Sequence, residues 1–281
     1  MVKAVFGALL YLAVVFGGYA FYESYLAENQ QVVAVEQLHA EGGHENGKEG
    51  HGNDAHESGE HGHGDRSSEV STYVQSDHDG ITIYLKDKVG NPVDELMVNH
   101  EKLLHFIIVD EHLEKYYHVH PEKIGKGKFR IGNILPDGFY KAFIDIKPKQ
   151  LAYSVDPVPF VVGNPVVSTV NKELMPDDQL IQTAEGETVK LNMSSFRTNE
   201  PVTLKFDLDR TQLTPYLGAM GHVVILDENA QNYLHVHPSN ESDPIFETQF
   251  SNPGLYKIWA EFMQNGKVRT FSYVVEIVEE K

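Results

Sequence analysis

The sequence predicts an all-β chain of two tandem β-sandwiches, standing behind an apolar amino-terminal helix and a polar linker. Three observations point there. Short strands with a period of two alternate with turn signals and no long helical period intervenes; the same order of elements runs twice; and the motif His-Val-His-Pro stands once in each run, at His118–Pro121 and at His235–Pro238. In both copies a further histidine, His105 or His222, precedes the motif by 13 residues.

Within the 281 residues there is room for about two ordinary domains. Residues 1–26 read as a signal anchor, because Lys3 precedes an almost uncharged run from Ala4 to Tyr22, about the length that spans a bilayer. The positive-inside tendency puts the bulk of the chain outside the cell. The alternative is a cleaved signal peptide and a secreted product, although no clear Ala-x-Ala site follows the run. Residues 27–71 form a stalk and then a Gly, Glu and His tract that buries too little to fold. His39, His44, His51, His56, His61 and His63 make that tract a weak gatherer of divalent cations or, on the plainer reading, a solvated spacer.

The first sandwich, residues 72–163, starts with the alternation of Ile81, Ile83 and Leu85, broken at Gly90-Asn91-Pro92. Strands Leu104–Val109 and Tyr116–His120 flank a turn and should pair as a hairpin; Lys128–Ile131, Tyr140–Ile146 and Phe160–Val162 follow. The second, residues 164–281, repeats the plan with Val202–Leu208, Val223–Leu226, Tyr233–His237, Ile245–Phe250 and Leu255–Phe262. Phe143 corresponds to Trp259 and Asp145 to Glu261, and an extra edge hairpin turning at Asn265-Gly266 closes the chain.

Lys+Arg 23 against Asp+Glu 41, a net charge of -18, excludes nucleic acid as a partner and draws cations. The absence of cysteine removes disulfides, thiolate metal sites and cysteine catalysis. A hairpin symmetric about its turn sets His105 across from His120 and His222 across from His237, with His118 and His235 on the same face. Three imidazoles so placed can converge on one ion. Ile107, Val109 and Tyr116, and in the other unit Val224, Leu226 and Tyr233, share that face, so the competing reading makes the histidines core groups. His78 and His112 read as loop residues, His100 as a loop residue or an extra ligand, and Met220 as packing or a thioether ligand. Asp145 and Glu261 are solvent-facing by default, or else ligands or orienters of a histidine. Imidazole sites with an open position suit Cu(II) first and Zn(II) second.

The stretch Pro215-Tyr216-Leu217-Gly218-Ala219-Met220-Gly221-His222 through Tyr233-Leu234-His235-Val236-His237-Pro238 resembles uncharacterised bacterial secreted proteins carrying the same pattern. These are loosely similar to YtkA-like and CopC-like copper-handling sandwiches, and the first unit resembles a sister module. The resemblance implies an immunoglobulin-like (cupredoxin or CopC-like) fold and copper, although the Met-rich site of CopC has no counterpart here. A His-Val-His strand also resembles Cu/Zn superoxide dismutase, whose cysteines and zinc loop are missing. The resulting expectation is a membrane-held, non-enzymatic protein that buffers or delivers a metal ion, with a metal transporter or sensor in the same membrane as partner. A metal-free envelope interaction module is the alternative, and a copper/zinc enzyme of the superoxide dismutase type is a lesser one.

Overall fold

In the computed structural model, residues 68–167, 173–236, 238 and 242–280 are described, all within one compact unit, His63–Lys281. The predicted anchor and linker histidines lie outside the described residues, as does His237; no helix among the described residues is long and apolar enough to cross a membrane.

Alternating apolar side chains build the first sandwich from β1 (Val70–Asp77), β2 (Gly80–Asp87), β3 (Leu96–Met97), β4 (Leu104–Asp110), β5 (Tyr116–Val119), β6 (Glu122–Gly125), β7 (Lys128–Gly132), β8 (Gly138–Pro148) and β9 (Val158–Val162). One sheet runs β1-β2-β7-β6; the other runs β3-β8-β4-β5, with β9 also on β8. The second sandwich follows as β10 (Ile181–Ala184), β11 (Glu187–Met193), β12 (Pro201–Asp207), β13 (Leu213–Thr214), β14 (His222–Asp227), β15 (Tyr233–Val236), β16 (Ile245–Gln249), β17 (Gly254–Gln264) and β18 (Lys267–Ile277). Its sheets are β10-β11-β12-β16 and β13-β17-β14-β15, with β18 on β17. All ladders within the sheets are antiparallel. The repeat extends to detail: Tyr140 Oη donates to the Pro136 carbonyl and Tyr256 Oη to that of Asn252, each at 2.9 Å, pinning the start of β8 and β17.

The predicted closing hairpin is present, but it adds no element to the plan. β18 lies along β17 on the side where β9 lies along β8, so a tight turn through Asn265 (φ 53°) and Gly266 (φ 71°) replaces the longer connection of the first unit.

Each sandwich has its own core: Leu104, Phe106 and Ile108 point into the first and Val223 and Ile225 into the second. Antiparallel sheets usually leave one face to water. Here β4 and β14 are buried on both faces, because Ile107, Val109, Leu113 and Phe143 pack against Val224, Leu226, Ala230 and Trp259 in a third cluster shared by the two sandwiches. The contact is reciprocal: Tyr116 stacks on Trp259 with centroids 5.0 Å apart, and Tyr233 on Phe143 at 5.1 Å. Equivalent patches meeting in this way make an internal counterpart of an isologous dimer interface. Each fully buried aliphatic or aromatic side chain there contributes about 1.5–3 kcal/mol.

Candidate metal centre

The pairing of β4 with β5 runs Phe106↔Val119 and Ile107↔His118, and that of β14 with β15 runs Val223↔Val236 and Val224↔His235. Continued by one residue, the β4–β5 register sets His105 across from residue 120. β5 ends at Val119, one residue short of His120. On their other sides, His105 is paired with Asp145 of β8 and His222 with Glu261 of β17. The face carrying the histidines is the face buried between the sandwiches, which is why His105 and His222 are fully buried without belonging to either core.

Both carboxylates cross that interface. Glu261 Oε2 lies 2.5 Å from His118 Nδ1, and Asp145 Oδ2 lies 2.7 Å from His235 Nδ1. The Tyr116 and Tyr233 hydroxyls stand 3.5 and 3.4 Å from the same two oxygens. Glu261 is buried and Asp145 half-buried, so the solvent-facing default fails for both: the docked sandwich covers them, and each neighbouring imidazole gives its carboxylate a donor.

Hydrogen-bond chemistry then fixes the tautomers. An ionised carboxylate only accepts, so His118 and His235 carry a hydrogen on Nδ1, and in the neutral ring Nε2 presents a lone pair. A backbone carbonyl only accepts as well. His105 Nε2 donates to the Asn99 carbonyl and His222 Nε2 to that of Tyr216, both at 2.9 Å and both six residues upstream, leaving lone pairs on the two Nδ1 atoms. With His118 neutral, His105 Nδ1 is an acceptor 2.9 Å from another acceptor, His118 Nε2, and it lies 3.1 Å from His120 Nε2. Facing lone pairs at that distance repel unless a positive species lies among them. Burial, with neighbouring imidazoles adding to it, pushes His105 down to about 4 and His120 down to about 3, so a second proton on either of those two rings is disfavoured at neutral pH. A metal ion satisfies all three. Nitrogens at 2.0–2.1 Å from a tetrahedral ion are about 3.3 Å apart, near the spacing observed. The carboxylate on His118 and the carbonyl on His105 are contacts of the kind that orient imidazoles in metal sites generally.

In the second unit, His222 Nδ1 is buried and has no hydrogen-bond partner among the described residues, and burial pushes His222 down to about 2. His100 also reaches this region. It occupies a turn with φ 45°, and its ring centroid lies 5.8 Å from His222 and 6.3 Å from both His235 and His105. Met220 is half-buried in the loop before β14. His78 is exposed beside Asp79, and His112 is half-buried with Nε2 3.7 Å from Glu111, so both stay loop residues.

Sequence reasoning missed the carbonyls of Asn99 and Tyr216, which carry no side-chain signature. It also missed Gly221. A Cβ there would lie 2.5 Å from Phe262 Cε1 and 2.9 Å from the Glu261 carbonyl oxygen. The first unit places Leu104 opposite Ile146 at the corresponding position; in the second the large group stands on β17 instead. Gly221→Ala should therefore cost about 1–3 kcal/mol by overpacking beside His222. Urea unfolding measures it, and an unchanged midpoint would show that the Phe262 ring moves aside freely.

Known proteins place these repeats in a group. The model of a family described as Domain of unknown function (DUF8832) matches residues 66–163 and again residues 182–279. The chain belongs to that family. Its two DUF8832 copies coincide with the two β-sandwiches, so the reciprocal interface joins one family repeat to the other. No curated protein matches the chain. Solved structures similar to these DUF8832 repeats include a two-domain fibronectin type III segment of chicken tenascin, at 10% identity and a TM-score of 0.23, covering 75% of this chain and 99% of that one. The Escherichia coli adhesin FdeC is similar at 13% identity and a TM-score of 0.22, covering 75% of this chain and 65% of that one.

Proposed function

We propose that the chain is an extracytoplasmic, membrane-anchored metal-binding protein that buffers or delivers an ion without catalysing a reaction. The observation that carries this reading is the convergence of buried His105 with half-buried His118 and His120, whose ligand atoms lie within 4.8 Å of one another. The nitrogens opposite those of His105 and His118 are already bonded to acceptors. Imidazole ligands without thiolates favour Cu(II) by the affinity order, with Zn(II) second. The run from Ala4 to Tyr22 supplies the anchor, and the acidic His39–His63 tract raises the local cation concentration. A metal transporter or sensor in the same membrane is a natural partner for this role.

Titration with Cu(II) and with Zn(II), followed by dialysis and metal analysis, tests it. The wild-type chain should retain two ions tightly, and the His118→Ala/His120→Ala and His235→Ala/His237→Ala chains one each. Failure of the wild type to retain either metal stoichiometrically ends the reading.

A further inference from the structure

We infer that His105, His118 and His120 of the first sandwich and His222 and His235 of the second form a single two-ion centre built across the interface between the sandwiches, with His100 of the first sandwich serving the ion of the second. This deepens the metal-binding reading and rests on it.

Proximity is the first argument. The His105 centroid lies 5.4 Å from that of His235 and 6.3 Å from that of His222; His118 lies 5.8 Å from His222 and 5.9 Å from His235. Within the first set the same distances are 4.8–5.2 Å. Rings of different sets are therefore almost as close as rings of one set. An imidazole bound through one nitrogen holds its centroid about 3 Å from the ion, so an ion on His105 and an ion on His235 lie no more than about 12 Å apart.

Reciprocity is the second. Each set depends on a carboxylate from the other sandwich, Glu261 for His118 and Asp145 for His235. Neither set is complete unless the sandwiches are docked, and an ion that fixes one set fixes the interface that orients the other.

The third argument is a departure from the repeat. His100 and Glu101 turn the chain before β4 with φ 45° and 63°, as Leu217 and Gly218 do before β14 with φ 51° and 75°. The turns approach each other, since a Cβ on Gly218 would lie 3.7 Å from Glu101 Oε1. From its turn the His100 imidazole leans on His222 and His235. Leu217, at the same position in the second unit, offers no ligand in return. The centre is thus asymmetric: His100 lends an imidazole to the second ion, and the equivalent turn lends none to the first.

Electron paramagnetic resonance of the full chain loaded with Cu(II) tests the inference, with His39, His44, His51, His56, His61 and His63 replaced by alanine to remove competing uptake. At two ions per chain the signal should be broadened by dipolar coupling or lost to exchange, with a half-field transition where it survives. In the His118→Ala/His120→Ala chain, holding one ion, a sharp mononuclear signal should return. Two unbroadened signals, or saturation of the parent chain at one ion, would overturn the two-ion centre while leaving metal binding intact; no retained copper overturns the metal reading itself. His100→Leu, which installs the residue of the equivalent turn, should weaken one of the two ions about tenfold or more and alter its hyperfine pattern. Unchanged affinity and spectrum would remove His100 from the centre.

Discussion

Trp259→Ala is expected to undock the two sandwiches and to cost about 3–5 kcal/mol. The indole is 2% exposed and stacks on Tyr116 of the other sandwich with an interplanar angle of 14°. Its place in the third cluster means that the cavity opens in the interface and not in a sandwich core. Calorimetry should then resolve two transitions where the parent chain shows one, since each sandwich keeps its own core. Metal retention should fall at both sites. Trp259 makes no ring contact with a histidine among the described residues, yet the carboxylates reach His118 and His235 only across the docked interface. Phe246→Ala provides the control: that ring is fully buried in the core of the second sandwich, so its loss should destabilise comparably without weakening the ion held by His105, His118 and His120. A single transition and normal metal retention in Trp259→Ala would show that other contacts hold the interface.

The register of both hairpins is legible in the sequence because His-Val-His fixes a face and a symmetric turn fixes the partner. The destination of that face is not. A period of two says that Ile107, Val109 and Tyr116 share a side with His118; it cannot say whether that side meets water, the opposite sheet or a second copy of the same surface. One signal was available: Leu104–Val109 and Val223–Leu226 are apolar on both faces apart from His105, and an antiparallel strand that reads so is covered twice. Even that signal does not name the cover, and so the crossing of Asp145 and Glu261 to the other sandwich needed coordinates. β1 and β10 escaped for the opposite reason. Less exposed positions such as Ser76 and Gln182 are themselves polar, and β10 has no buried residue to give the alternation contrast; β11 does alternate, with Val189 and Leu191 buried on either side of exposed Lys190, so its period of two is legible.

Acidification of the metal-free chain is expected to unfold it from about pH 6 downward. Burial holds His105 at about 4, His120 at about 3 and His222 at about 2 in the folded chain, against about 6.5 when unfolded. Above pH 6.5 both states leave these rings neutral and nothing is lost. Below it the unfolded chain takes up protons that the folded chain refuses, so stability falls with pH by about 1.4 kcal/mol per unit for each such proton. His105 and His222 are both 0% exposed, and together they impose a slope of about 3 kcal/mol per unit between roughly pH 6 and pH 4. Among the groups facing them, Asp145 favours the charged form of His105, whereas the surrounding imidazoles oppose it in both rings. Urea midpoints measured from pH 7 to pH 4 read the slope directly, and a flat profile would mean that the rings admit protons without unfolding. A bound ion changes the sign of the local problem. It supplies the positive charge that the converging lone pairs lack, and it stabilises only the folded chain, by an amount that grows with the logarithm of free metal. The loaded chain should therefore unfold at a lower pH than the stripped one, and EDTA should abolish the difference.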